Sequence, residues 1–247
     1  MLDIIQYIVA RRAQLASVPF VTFLEDDELT PAERLSCAFG VAPVAMAFRD
    51  LNRSVVHRDP PEDALQELIN EHAREDSRHW SWYLSDLRRL GLRQDMSVAD
   101  AMSLLMADGL SGARAVCPLL THLLLSQQRS EQRLAIILAI EATGMVVFRA
   151  FSRIAQKVEA AGGPRLLYFG HTHLDAETGD LIIEGSYRPL VQQIVLSPEE
   201  QAHCRAMVDQ VFAAFERFLQ ELLVFARSGA LSVTLPEPPS AQGHLSP

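Results

Sequence analysis

Residues 134–148 read Leu134-Ala135-Ile136-Ile137-Leu138-Ala139-Ile140-Glu141-Ala142-Thr143-Gly144-Met145-Val146-Val147-Phe148. No proline interrupts the run, and a helix this apolar belongs in a core. Glu141 is its one charge. A carboxylate in such a place is costly unless it is paired or binds a metal. The plain reading puts Glu141 on a narrow exposed edge. The chemical reading, which weighs more, gives it a partner, because few charged residues are fully buried without one. Gly144, one turn on, lets another group approach the backbone.

Outward from this run the chain is helical almost throughout. Thr30-Pro31-Ala32-Glu33 and Ser197-Pro198-Glu199-Glu200 each supply an N-cap hydroxyl, a proline at the first helical position and a glutamate three residues after the cap. Ser97 opens a shorter helix, and Asp59-Pro60-Pro61-Glu62 closes one helix and opens the next. The spacing predicts helices over roughly 2–16, 31–56, 61–90, 97–107, 112–127, 130–161, 164–178 and 198–228. The best strand candidate is Leu181-Ile182-Ile183. Short connections imply antiparallel neighbours, so the expectation is one all-α domain over 1–228. The Pro/Ser/Gly-rich segment 229–247 is read as a disordered tail.

The net charge of −9 argues against a nucleic-acid partner and against an anionic membrane surface. Cys37, Cys117 and Cys204 are distant from one another and have no zinc spacing; with no disulfide framework, a reducing cytoplasm is expected.

Two further segments carry chemistry. In Asn70-Glu71-His72-Ala73-Arg74-Glu75-Asp76-Ser77-Arg78-His79-Trp80, helical residues advance by about 100° each, so His72, Asp76 and His79 fall within about 60° on one face, which continues to Tyr83 and Asp86. In Gly170-His171-Thr172-His173-Leu174-Asp175-Ala176-Glu177-Thr178-Gly179-Asp180, His173, Glu177 and Asp180 repeat that spacing; His171 with Asp175 is the alternative register. Each cluster alone could be a solvated face. Together with Glu141 they supply imidazoles and carboxylates from three segments, a donor set for Fe(II) or Mn(II) rather than structural zinc, built as helical bundles build di-iron sites.

At these residues, and in Glu75–Leu84 and Tyr168–Leu174, the sequence resembles the heme-oxygenase-like diiron oxidase and oxygenase superfamily, related in fold to TenA and PqqC proteins. The resemblance covers roughly 31–226. It implies a bundle of about seven core helices, Fe(II), two per chain, with O2 as co-substrate, and a metal set of His72, Asp76, His79, Glu141, His173, Glu177 and Asp180, with Glu141, His79 and His173 closest to the chemistry. The substrate would be a small amino-acid- or fatty-acid-derived molecule, oxidised in a natural-product pathway by N-oxygenation, desaturation, C–C cleavage or nitrile formation; a homodimer is compatible. The chain departs from the pattern twice. Asp180 stands where the late motif ends in His, and the first core helix offers Asp50 in place of a glutamate. Two other readings compete: a cofactor-independent enzyme of the same fold using Glu141 and the histidines as acids and bases, and a non-catalytic binding protein.

Overall fold

The run around Glu141 is the middle of a 31-residue helix, Ser130–Ala160. It lies in a computed structural model that describes residues 1–92, 96–179, 188–233 and 235, without the side chains of 177–179, 188 and 189. In chain order the helices are α1 (Leu2–Leu15), α2 (Pro19–Glu25), α3 (Pro31–Arg34), α4 (Ala42–Leu51), α5 (Ala64–Asp76), α6 (Trp80–Arg89), α7 (Val98–Met106), α8 (Ser111–Leu125), α9 (Ser130–Ala160), α10 (His171–Gly179), α11 (Arg188–Gln192) and α12 (Pro198–Arg227). Among the described residues there is no strand, and the fold is an all-α bundle. Leu181-Ile182-Ile183 lies outside the described residues.

Both proline-marked starts form full capping boxes: Thr30 and Ser197 accept the N–H of Glu33 and Glu200, whose carboxylates bond back to the cap N–H. Ser197→Ala should therefore cost about 1 kcal/mol in urea unfolding.

The predicted helices 31–56 and 61–90 are each divided. Pro43 sits in the first turn of α4, and without an N–H it restarts a helix rather than continuing one; a 3₁₀ segment, Leu35–Val41, precedes it, and a π turn, Asn52–Val56, follows. The second helix opens at Ala64, capped by Asp63 rather than at Pro61, and breaks at residues 77–79. There the Ser77 and Ser81 hydroxyls donate to the carbonyls of Arg74 and Arg78, local bonds that compete with helix continuation. The helix expected over 164–178 begins only at His171.

α9 and α12 form the centre of the bundle, flanked by α1 and α8. Phe212, Phe215, Leu219 and Leu222 of α12 are buried there. α9 is the one described helix long and apolar enough to cross a membrane, but 72% of its most apolar window is buried inside the protein, so its hydropathy is that of a core helix. All three cysteines are buried and free. At the start of the segment read as a disordered tail, Leu231 and Val233 are buried.

Two ionic groups, one half-buried and one buried, fix neighbouring elements. Glu221 of α12 accepts the N–H of Gly112 at 2.6 Å and of Ala113 at 3.2 Å, satisfying the free N-terminal donors of α8. Arg133 of α9 is fully buried and donates to Gln66 of α5 and to the carbonyls of Leu124, Val55 and Val56. Burial, reinforced by the nearby Arg58 guanidinium, pulls its pKa down to about 10. The network clamps α5 and the π turn to α9 and so sets the height at which α5 presents His72 and Asp76.

Candidate active site

Glu141 of α9 is only 4% exposed, which excludes the exposed-edge reading. Its Oε1 lies 3.4 Å from His72 Nε2 on α5, and the same nitrogen lies 3.2 Å from Asp76 Oδ2. One imidazole nitrogen thus faces two carboxylates from two helices. His79 Nδ1 stands 3.6 Å from Asp76 Oδ1. The helix break after Asp76 does not remove His79 from the cluster, because the turn returns it to the same face. Burial alone would raise the Asp76 carboxyl; the adjacent imidazoles of His72, His79 and His173 outweigh it, and the pKa ends below its usual value.

His173 enters from the first turn of α10, 3% exposed. Its ring sits 4.6 Å from that of His79, 3.8 Å from Phe148 and 4.5 Å from Tyr168. Nδ1 is 3.0 Å from the Tyr168 carbonyl. A carbonyl only accepts, so Nδ1 carries the hydrogen and the lone pair is on Nε2, the form that ligates a metal or takes up a proton. Burial holds the His173 pKa down to about 4, against the pull of the Tyr168 carbonyl and Asp76.

This depressed pKa gives a stability prediction. Between pH 4 and about 6.5 the unfolded chain binds this proton and the folded protein does not. Stability contributed by neutral His173 is therefore complete above about pH 6.5 and falls by roughly 3 kcal/mol as the pH drops to 4. His173→Asn keeps an N–H for the Tyr168 carbonyl and removes the titration. Urea unfolding at pH 7 and pH 4.5 should show a smaller acid loss for this variant than for wild type.

The segment delivering His173 is held by Asp86 of α6. This carboxylate is fully buried and accepts the N–H groups of Leu167 at 2.8 Å, Tyr168 at 2.7 Å and Phe169 at 3.0 Å. Asp86, on the same predicted face as the cluster, therefore positions the loop instead of joining the ligand set. Gly170 completes the turn: a Cβ there would lie 2.1 Å from the Leu166 carbonyl oxygen. His171 and Asp175 are exposed, with His171 against Gln156, so the alternative register faces the surface. Asp50 is exposed too and does not replace a first-helix glutamate. The Glu177 side chain and Asp180 lie outside the described residues.

Asp76, His79, Glu141 and His173 open onto a cavity of about 90 Å³. Phe48 of α4, Phe148 and Gly144 of α9, Tyr168, and Phe215 and Phe218 of α12 line it. The α12 phenylalanines, readable in sequence only as core, also form its wall.

The donor set, three imidazoles and two carboxylates, has the chemistry of a non-heme iron or manganese site. Around an ion with bonds of about 2.1 Å, adjacent ligand atoms lie about 3.0 Å apart at right angles and about 3.4 Å at tetrahedral angles. The 3.2 and 3.4 Å separations around His72 match that range. Among the described residues no three such side chains are already arranged for an ion. They are paired with one another, and an ion would replace the His72–carboxylate contacts.

No protein-family profile matches the chain, and no curated protein matches it either. Among solved structures it is similar to the crystal structure of a TenA homolog from Pseudomonas syringae pv. tomato, at a TM-score of 0.57 and 14% identity, over 90% of this chain and 92% of that one. At that identity the likeness speaks for architecture alone: the chain has the TenA/heme-oxygenase-like helical fold.

Proposed function

We propose that this protein is a non-heme iron oxidoreductase that uses O2 to oxidise a small, largely apolar molecule held in the cavity beside Glu141. The reading is carried by the buried meeting of His72 with Glu141 and Asp76. His72, Asp76, Glu141 and His173 would hold the iron, with His79 beside Asp76. Bound iron would supply activation of O2 and a sink for electrons or hydrogen from the substrate. The protein's own residues do the rest. Glu141 and Asp76 provide negative charge in an apolar wall. His173 stays neutral at working pH because burial disfavours its proton. The ring of Phe48, Phe148 and Phe215 keeps water from the reacting groups. The imidazoles and carboxylates must be free of protons to ligate an ion, so affinity should fall with acidity.

Anaerobic titration of the full chain with Fe(II), followed by O2 and optical and Mössbauer spectra, tests this. Stoichiometric uptake and O2-dependent spectral change are expected; absence of uptake would end the proposal.

One observation favours a second reading. His72 Nε2, 3.2 Å from one carboxylate and 3.4 Å from another, is placed to exchange a proton with either without an ion, an arrangement suited to acid–base catalysis. That reading expects turnover to persist in chelator.

A further inference from the structure

On the far side of Trp80 the C-terminal end of α4, the π turn and α5 enclose an open groove of about 570 Å³. Arg49, Arg53, Arg74, Arg78 and His57 line it, and among the described residues no carboxylate does. This gathering occurs in a chain of net charge −9. Arg74 also contacts Glu67 at 3.2 Å, and Arg49 lies over the Trp80 ring, 5.3 Å from its centroid. Among the described residues no carboxylate pairs with Arg49, Arg53 or Arg78. Asn52, on the groove wall and 3% exposed, has an Nδ2 with no acceptor among the described residues. Leaving a buried amide donor unmatched is costly, and so is crowding guanidinium charges together. An anion in the groove relieves the second cost.

The number of charges indicates which anion. One guanidinium fork satisfies one carboxylate, whereas several surrounding one point suit a group with two or more negative charges and many acceptor oxygens. Trp80 lines both this groove and the cavity beside Glu141, so the two compartments share a wall. We propose that the groove binds the phosphate or pyrophosphate head of an amphiphilic substrate whose apolar part passes Trp80 into the cavity. The apolar half rests on the cavity's being the active centre; the head site stands independently of iron.

The test is calorimetry on the full chain, chelator-treated and then iron-loaded, with octyl phosphate, octanoate and inorganic pyrophosphate. Octyl phosphate should bind at least tenfold more tightly than octanoate, weaken as salt rises, and be displaced by pyrophosphate, in chelator as with iron. The Arg53→Gln/Arg78→Gln double variant, altered only at exposed positions, should bind at least tenfold more weakly. Arg205→Gln, beside Tyr7 on α12, should bind as wild type. Equal binding of octanoate, unaltered binding by the double variant, or no displacement by pyrophosphate would each overturn the proposal. Phosphate binding without iron uptake would refute the oxidase reading alone, and iron uptake without phosphate binding would refute the head site alone.

Discussion

Glu141→Gln should lower Fe(II) affinity about a hundredfold or more, while changing the stability of the iron-free protein by no more than about 1–2 kcal/mol. The two effects separate because the carboxylate's charge does different work in the two states. Without iron, Glu141 gains attraction from His72 at 3.4 Å but bears the desolvation cost of a charge that is 4% exposed, and such terms nearly cancel in buried pairs. Glutamine keeps the shape and an acceptor oxygen for His72. With iron, the lost charge has no substitute, since a neutral amide is a poor donor to a divalent ion; loss even of a supporting group costs about 10–100-fold. Fe(II) titration and urea unfolding of the same variant give both numbers. Wild-type affinity in Glu141→Gln would contradict the assignment. Large destabilisation with unchanged affinity would make Glu141 a structural residue.

Asp86→Ala should destabilise the protein by about 3–5 kcal/mol and weaken Fe(II) binding, although Asp86 touches none of the proposed ligands. Its carboxylate accepts three consecutive N–H groups, those of Tyr168 and Phe169 in buried bonds and that of Leu167 in a half-buried one. Bonds to a charged acceptor contribute about 1.5–3 kcal/mol each, and donors left unsatisfied in the interior add a penalty; shared geometry keeps the sum below the simple total. The same three residues set the carbonyl of Tyr168 that orients His173. Burial raises the Asp86 pKa, against the pull of these N–H groups and Arg89, so the site already bears a cost that only the loop contacts offset. Asp86→Asn keeps one acceptor oxygen and should lose roughly half as much stability. Urea unfolding checks the order; an Asp86→Ala variant within about 1 kcal/mol of wild type would show that the loop holds itself.

Glu141 could be read from the sequence because one carboxylate stands in an otherwise apolar run. The bundle could be read because capping boxes and periodicity are local signals. The stripe of His72, Asp76 and His79 was legible as spacing, but its path was not: the helix ends at Asp76, and a serine-bonded turn returns His79 to the cluster. The choice between His173 and His171 was not legible at all. It depends on Gly170 and on Asp86, which lies 81 residues before Leu167, and no local pattern records a bond of that span. The arginine groove was hidden for the same reason, since residues 49–57 and 74–80 meet only after the π turn packs on α5 and α4 on α6. The departure at Asp50 has a plain cause: the inner face of α4 gives Val44, Ala45 and Phe48 to the cavity, leaving Asp50 exposed.

The most direct measurement is an anomalous-difference map at the iron edge from crystals of the iron-loaded protein. The account predicts a peak bonded to the Glu141 carboxylate and to at least one of His72, Asp76 and His173 at about 2.0–2.2 Å, with the His72–Glu141 contact opened. A map with iron elsewhere, or with no iron and that contact intact at full Fe(II) exposure, would contradict it.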